Sequence, residues 1–97
     1  MLTLQLSEQA TEDLTVIADF TLAEFGEYQA YTYYQQLLKV FDLLCMQPLL
    51  GKDCSNIRSG VRRLVHRSHG IYYRVNGDAL LILRILSHWQ DPLTKLQ

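Results

Sequence analysis

From Leu2 to Leu6 apolar and polar residues alternate, and that period of two predicts a half-buried strand. The period then lengthens. Ala10, Leu14, Ile17, Thr21 and Phe25 recur at helical spacing behind Ser7, a suitable N-cap, with Glu8 and Glu12 at the positive end of the helix dipole. Gly26 closes that helix, and a second is expected from about Glu27 to Met46, stopped by Pro48, with Ala30, Tyr34, Leu37, Phe41 and Leu44 as its core stripe. So short a link between two helices implies an antiparallel hairpin. Val16, Phe20 and Ala23 form a second apolar stripe on the first helix, and Tyr31, Tyr33, Leu38, Val40 and Leu43 lie off the core line of the second. Either packing or a binding groove has to absorb this surplus.

Residues 48 to 59 read as a loop, and strand pattern returns at residues 61 to 67, 70 to 75 and 79 to 87. Asn76-Gly77 between the last two runs is the turn chemistry of a tight hairpin. A two-residue turn pairs Val75 with Asp78 and puts Ile71, Tyr73 and Val75 on one face with Leu80, Ile82, Arg84 and Leu86. A three-residue turn with a bulge instead sends Arg74 and Arg84 to the Tyr72 face. In both cases the last strand is apolar on its two faces apart from Arg84, so it is expected in the interior of the sheet. A guanidinium there needs a partner. Backbone carbonyls or a carboxylate such as Asp91 would make it structural, and a direct functional role is the other reading.

The element order is thus β-α-α-β-β-β. It implies an α+β, two-layer fold: a mostly antiparallel four-stranded sheet covered by a helical hairpin, with a short C-terminal helix or tail after Asp91-Pro92, residues 1–97 forming one domain. With neither a basic leader ahead of an apolar stretch nor a run long enough to span a membrane, the chain is expected to be soluble and cytoplasmic. Cys45 and Cys54 lack metal-site spacing and are read as reduced thiols, the first in the core.

Charge changes the picture. Residues 1–51 hold one lysine against seven carboxylates, net −6, while residues 52–97 hold eight cations against three carboxylates, net +5. The halves either neutralise each other in the fold or leave the basic half for an anionic partner, nucleic acid or an acidic protein segment. His66, His69 and His88 are too few for a metal site without carboxylate help, and no cofactor is implied. Neither a phosphate loop nor a nucleophile elbow is present, and Ser87-His88 are adjacent on a strand and so point to opposite faces. Arginines among histidines and tyrosines could grip RNA and supply an acid and a base, or could anchor a protein interface.

The order of elements resembles the ParE branch of the RelE/ParE toxin superfamily. The residues that carry the likeness are Gly60-Val61-Arg62 opening the meander, Tyr73-Arg74-Val75, and Leu83-Arg84-Ile85-Leu86 followed by Asp91-Pro92. Arg62, Tyr73, Arg74 and Arg84 match positions of the family pattern. Two departures are visible: Ser87 stands where a histidine often follows the Ile-Leu pair, with His88 one place later, and Gly70 opens its strand where a branched apolar residue is usual, a thin or bent spot. The resemblance implies the toxin of a type II toxin–antitoxin module, of the kind known from plasmid stabilisation, that inhibits DNA gyrase by binding and is neutralised by a ParD-like antitoxin. It implies no membrane partner. Target contacts would fall on Arg62, Arg63, Arg67, Arg74, Arg84, His88 and Trp89, and antitoxin contacts on Val16, Phe20, Ala23, Tyr31 and Leu38. The alternatives are a RelE-type nuclease acting on messenger RNA at the ribosome, or an inactive relative that only binds antitoxin. The tail, with only His88 and Trp89 to offer near the C-terminus, favours binding over catalysis.

Overall fold

The computed structural model describes residues 1–96. Five strands form one sheet in the order β1-β5-β4-β3-β2, with β1 Thr3–Leu6, β2 Lys52–Asp53, β3 Arg62–His66, β4 His69–Asn76 and β5 Ala79–Ser87. Helices α1 Glu8–Phe25 and α2 Glu27–Met46 precede β2, and α3 Pro92–Lys95 follows β5. The α+β architecture is the expected one, with one strand more. Lys52 and Asp53, read as loop, pair antiparallel with Arg63 and Arg62. Two residues carry no readable period, and their pairing depends on a neighbour distant in sequence. β1 runs parallel to β5, and the other pairings are antiparallel.

Ser7 caps α1 by accepting the Ala10 N–H at 3.0 Å, and its hydroxyl donates to the Leu83 carbonyl at 2.7 Å. One side chain therefore starts a helix and ties it to β5. Gly26 closes α1 and opens α2, donating to the Leu22 carbonyl and accepting from Ala30. Ala10, Leu14 and Ile17 of α1 and Leu37, Phe41, Leu44 and Cys45 of α2 pack on Ile71, Tyr73, Leu80, Ile82 and Ile85 of the sheet. The core stripes fade toward the elbow: Thr21 and Ala30 are half-buried, Phe25 is 60% exposed and Tyr34 37%. The other sheet face carries Cys54, Val61, Tyr72, Leu83 and Leu86, closed over by Leu96 after α3. Cys45 and Cys54 are free thiols in these two separate clusters.

The hairpin register departs from both expectations. The two-residue loop is Gly77-Asp78, flanked by Asn76 and Ala79, so Val75 pairs with Leu80 and not with Asp78. Gly77 takes φ +63°, the backbone a primed turn needs at its first central position. A bulge then follows: Tyr73 pairs with Ile82 but Tyr72 with Arg84, leaving Leu83 as the extra residue. The short turn is that of one reading, whereas placing Arg84 opposite Tyr72 is the outcome of the other. Because the bulge shifts the alternation, Ile82 and Ile85 both reach the helix-side core although three residues apart.

β1 pairs β5 only as far as Ile82, and α1 continues that edge. Ser7 N–H donates to the Ile82 carbonyl at 2.9 Å, and Asp13 accepts the Ile85 N–H at 2.9 Å. Arg84 follows the same carboxylate: Nε and Nη2 donate to Asp13 at 2.8 and 2.9 Å, and Nη1 reaches the Lys95 carbonyl at 3.4 Å. Its carboxylate partner is Asp13, 71 residues away, rather than Asp91. Asp91 instead caps α3, accepting the Leu93 N–H. Among the described residues no helix is long and apolar enough to cross a membrane.

Candidate functional site

Three segments meet at the β3–β4 turn. His66 and His69 pair as its last strand residues, so the loop is Arg67-Ser68, with Arg67 at φ +53°. A two-residue turn sets residues i and i+3 side by side, which brings the two imidazoles together. From α2, Tyr33 reaches both: its hydroxyl lies 2.6 Å from His69 Nδ1, and its ring stacks on His66 with centroids 5.7 Å apart. His66 Nε2 is buried without a hydrogen-bond partner. Burial pushes both histidines below the ordinary imidazole range, aided at His66 by the Arg67 charge and at His69 by His66 and His88. Burial also raises Tyr33, so a neutral hydroxyl faces neutral rings near pH 7.

The turn is a wall between two hollows, and Arg67, Ser68 and His69 line both. On the helix side lies an apolar groove of about 400 Å³ between the α1–α2 elbow and the turn, bordered by Phe20, Phe25 and Tyr28. These three rings are 56%, 60% and 82% exposed, a cluster of apolar surface that packing has not used. On the other side a basic cleft of about 300 Å³ runs under the tail, with Arg63, Arg67, His69 and His88 in its lining. Gly70 forms part of that lining. A Cβ there would lie 3.2 Å from the Tyr72 ring and 3.4 Å from Arg63 Cδ, so the glycine makes room for the Arg63–Tyr72 contact. That contact also raises the Arg63 pKa. The thin spot expected at Gly70 is thus filled by two neighbouring side chains.

The structure divides the expected target contacts. Arg63, Arg67 and His88 line the cleft, and Trp89, 71% exposed, stands edge-on to His88 with centroids 5.1 Å apart. Arg62 is held elsewhere, donating from Nη1 to the Gly51 carbonyl at 2.8 Å. Arg84 is held by Asp13, and Arg74, half-buried beyond the bulge, is outside the cleft lining. Of the residues expected to receive an antitoxin, Phe20 lines the groove, Val16 and Tyr31 are 66% and 65% exposed, and Ala23 is exposed. Leu38 is different: it is partly buried against the helix-side core, where packing consumes it.

Phe25, Tyr28, Tyr33 and His69 were missed as site residues by sequence reasoning. Phe25 continued a core stripe whose last turn overhangs the sheet. The readable signal for His69 was His66-Arg67-Ser68-His69 itself, a histidine pair across a two-residue turn, whereas Tyr28 and Tyr33 come to the site only through the packing of α2. Among the described residues no group of three or more His, Cys, Asp or Glu could hold a metal ion.

Comparison with known proteins places the chain in a family. Residues 4–92 match the family described as ParE toxin of type II toxin-antitoxin system, parDE. Toxin ParE1 of Mycobacterium tuberculosis is 34% identical over 87 residues, 89% of each chain. Toxin ParE1 of Caulobacter vibrioides is 33% identical over 82 residues, 84% of each. The fold is similar to a chain of the chromosomal ParDE TA system from P. aeruginosa, with TM-score 0.77 and 27% identity, covering 90% of this chain and 96% of that one. With the match running from β1 to the first residue of α3, this chain belongs to the ParE toxin family of type II toxin–antitoxin systems.

Proposed function

We propose that this ParE toxin inhibits DNA gyrase by direct binding, without catalysis of its own, and that a ParD-like antitoxin neutralises it. The observation that carries the reading is the pair of unlike hollows on either side of one turn. The apolar groove at the helical elbow has the character of a site for an apolar segment of a partner, with Phe20, Phe25 and Tyr28 as its anchors. The basic cleft, with Arg63, Arg67 and His88 and the exposed Trp89 beside it, has the Arg and aromatic composition of interface anchors. A groove occupant would touch Arg67 and His69, which the cleft shares, and so hinder a target docked on the other side.

The test is supercoiling by purified gyrase titrated with the folded protein, with and without its antitoxin. Inhibition relieved by the antitoxin is the expected result. Undiminished supercoiling, together with cut messenger in a translation extract, would replace gyrase by the ribosome as target.

A further inference from the structure

The β3–β4 turn presents the cation Arg67 and the imidazole of His69 to both hollows, and neither lining contains an aspartate or glutamate. His69 is held at Nδ1 by Tyr33, which leaves Nε2 as the ring atom available to a ligand. Arg67 on the loop lines the same two hollows, and His66 on β3 and His88 on the tail bear on the ring. From α2 the groove is lined by Tyr28, Gln29, Thr32, Tyr33 and Gln36, and from α1 by Phe20, Thr21 and Phe25, none of them charged. An anionic group entering here would meet positive and proton-binding partners and no competing carboxylate.

We propose that Arg67 and His69 form a carboxylate station at the shared wall, where an acidic side chain of the segment that fills the apolar groove is bound together with a proton on His69. The proposal rests on the antitoxin reading above and names both the chemistry of the occupant at this point and its regulation by pH.

The geometry accommodates the proton. When the neutral ring carries its hydrogen on Nε2, Tyr33 donates its hydroxyl hydrogen to His69 Nδ1 across 2.6 Å. When His69 gains a proton the bond reverses, Nδ1–H donating to Tyr33 Oη. The displaced hydroxyl hydrogen then has a second acceptor, the His66 carbonyl oxygen at 3.4 Å. Neither state strands the Tyr33 hydroxyl or His69 Nδ1, and Nε2–H remains free for the ligand. In the isolated toxin burial, with His66 and His88 close by, holds His69 below the usual imidazole range, so it is neutral near pH 7. A carboxylate arriving beside it offsets both effects, and complex formation draws a proton from solution.

Titration calorimetry of the toxin with its purified antitoxin at pH 7, in phosphate and in Tris, reads this directly, since the two buffers release a proton with different heats. Wild type is expected to take up as much as about one proton per complex and to bind more tightly as pH falls from 7.5 to 6.5, by at most about tenfold per pH unit, the limit for one linked proton. His69→Gln should still form the complex but lose the buffer dependence and flatten the pH profile. Arg67→Gln should weaken the complex more at low ionic strength than in about 0.5 M salt, where ion pairs are screened. A wild-type complex with identical heats in both buffers and pH-independent affinity overturns the station while leaving the antitoxin reading intact. No complex at any pH overturns both.

Discussion

Arg84 donates from Nε and Nη2 to the two carboxylate oxygens of Asp13, at 2.8 and 2.9 Å, and the same carboxylate accepts the Ile85 N–H at 2.9 Å. This fork closes the part of the β5 edge that β1 leaves open. With both side chains only 13% and 12% exposed, loss of one partner strands the other charge in a poorly solvated place. The Nη1 contact to the Lys95 carbonyl extends the tie to the tail.

Arg84→Ala and Asp13→Ala should therefore each lower stability by about 3 kcal/mol, and the double variant by less than their sum. Urea denaturation measures this. Toxicity should fall only as far as the folded fraction falls. An Arg84→Ala protein as stable as wild type yet non-toxic would make the arginine a contact residue instead.

Tyr73 ties the loop before β2 to the sheet. Its hydroxyl accepts the Gly51 N–H and donates to the Pro48 carbonyl, both at 2.8 Å. Tyr73→Phe leaves buried backbone groups unpaired and should cost about 1–3 kcal/mol. Gly51→Ala should cost at least as much, because its Cβ would stand 2.5 Å from the tyrosine oxygen and 2.9 Å from the Arg63 carbonyl. Equal denaturation midpoints for wild type and Gly51→Ala would show that the loop relaxes at little cost.

The two hollows predict separable losses. Phe20→Ala, at a ring 56% exposed, should leave stability within about 0.5 kcal/mol but weaken antitoxin binding by more than about 1 kcal/mol. Trp89→Ala should spare antitoxin binding and reduce gyrase inhibition. Calorimetry and supercoiling assays on the same two proteins give the four values, and equal loss of both activities in either variant would merge the two surfaces into one.

Acid should destabilise the isolated toxin. His66 and His69 bind protons less readily folded than unfolded, so stability is fully present above the unfolded imidazole value of about 6.5 and declines as pH falls from there toward the lower folded values. Thermal unfolding followed between pH 8 and pH 5.5 should show this decline, smaller in His69→Gln. A melting temperature that is flat over the range would mean that the two rings titrate as they do in the unfolded chain.

The elements were largely legible because each rests on neighbours along the chain. Ser7 as N-cap, α2 from Glu27 to Met46, the apolar β5 and the Asp91-Pro92 start of α3 all appear where local patterning puts them. The basic character of the cleft was readable as well, though only in part by residue, since charge gives no partner: Arg63 and Arg67 stay in the cleft while Arg62 and Arg84 are drawn into structural bonds.

Periodicity, capping and turn chemistry by themselves determined the order of elements and which stripes are apolar, because those preferences act over a turn of helix or a few residues of strand. Tertiary structure alone decided the rest. The bulge opposite Tyr72 and Tyr73 reset which β5 residues face the helices, and Asp13 took Arg84 from across the fold. The overhang of the helical elbow turned Phe25 from core into groove, and Tyr33 met the two histidines only because α2 crosses the β3–β4 turn. Each of these depends on distance in space between residues far apart in sequence, and no local preference of the chain encodes that distance.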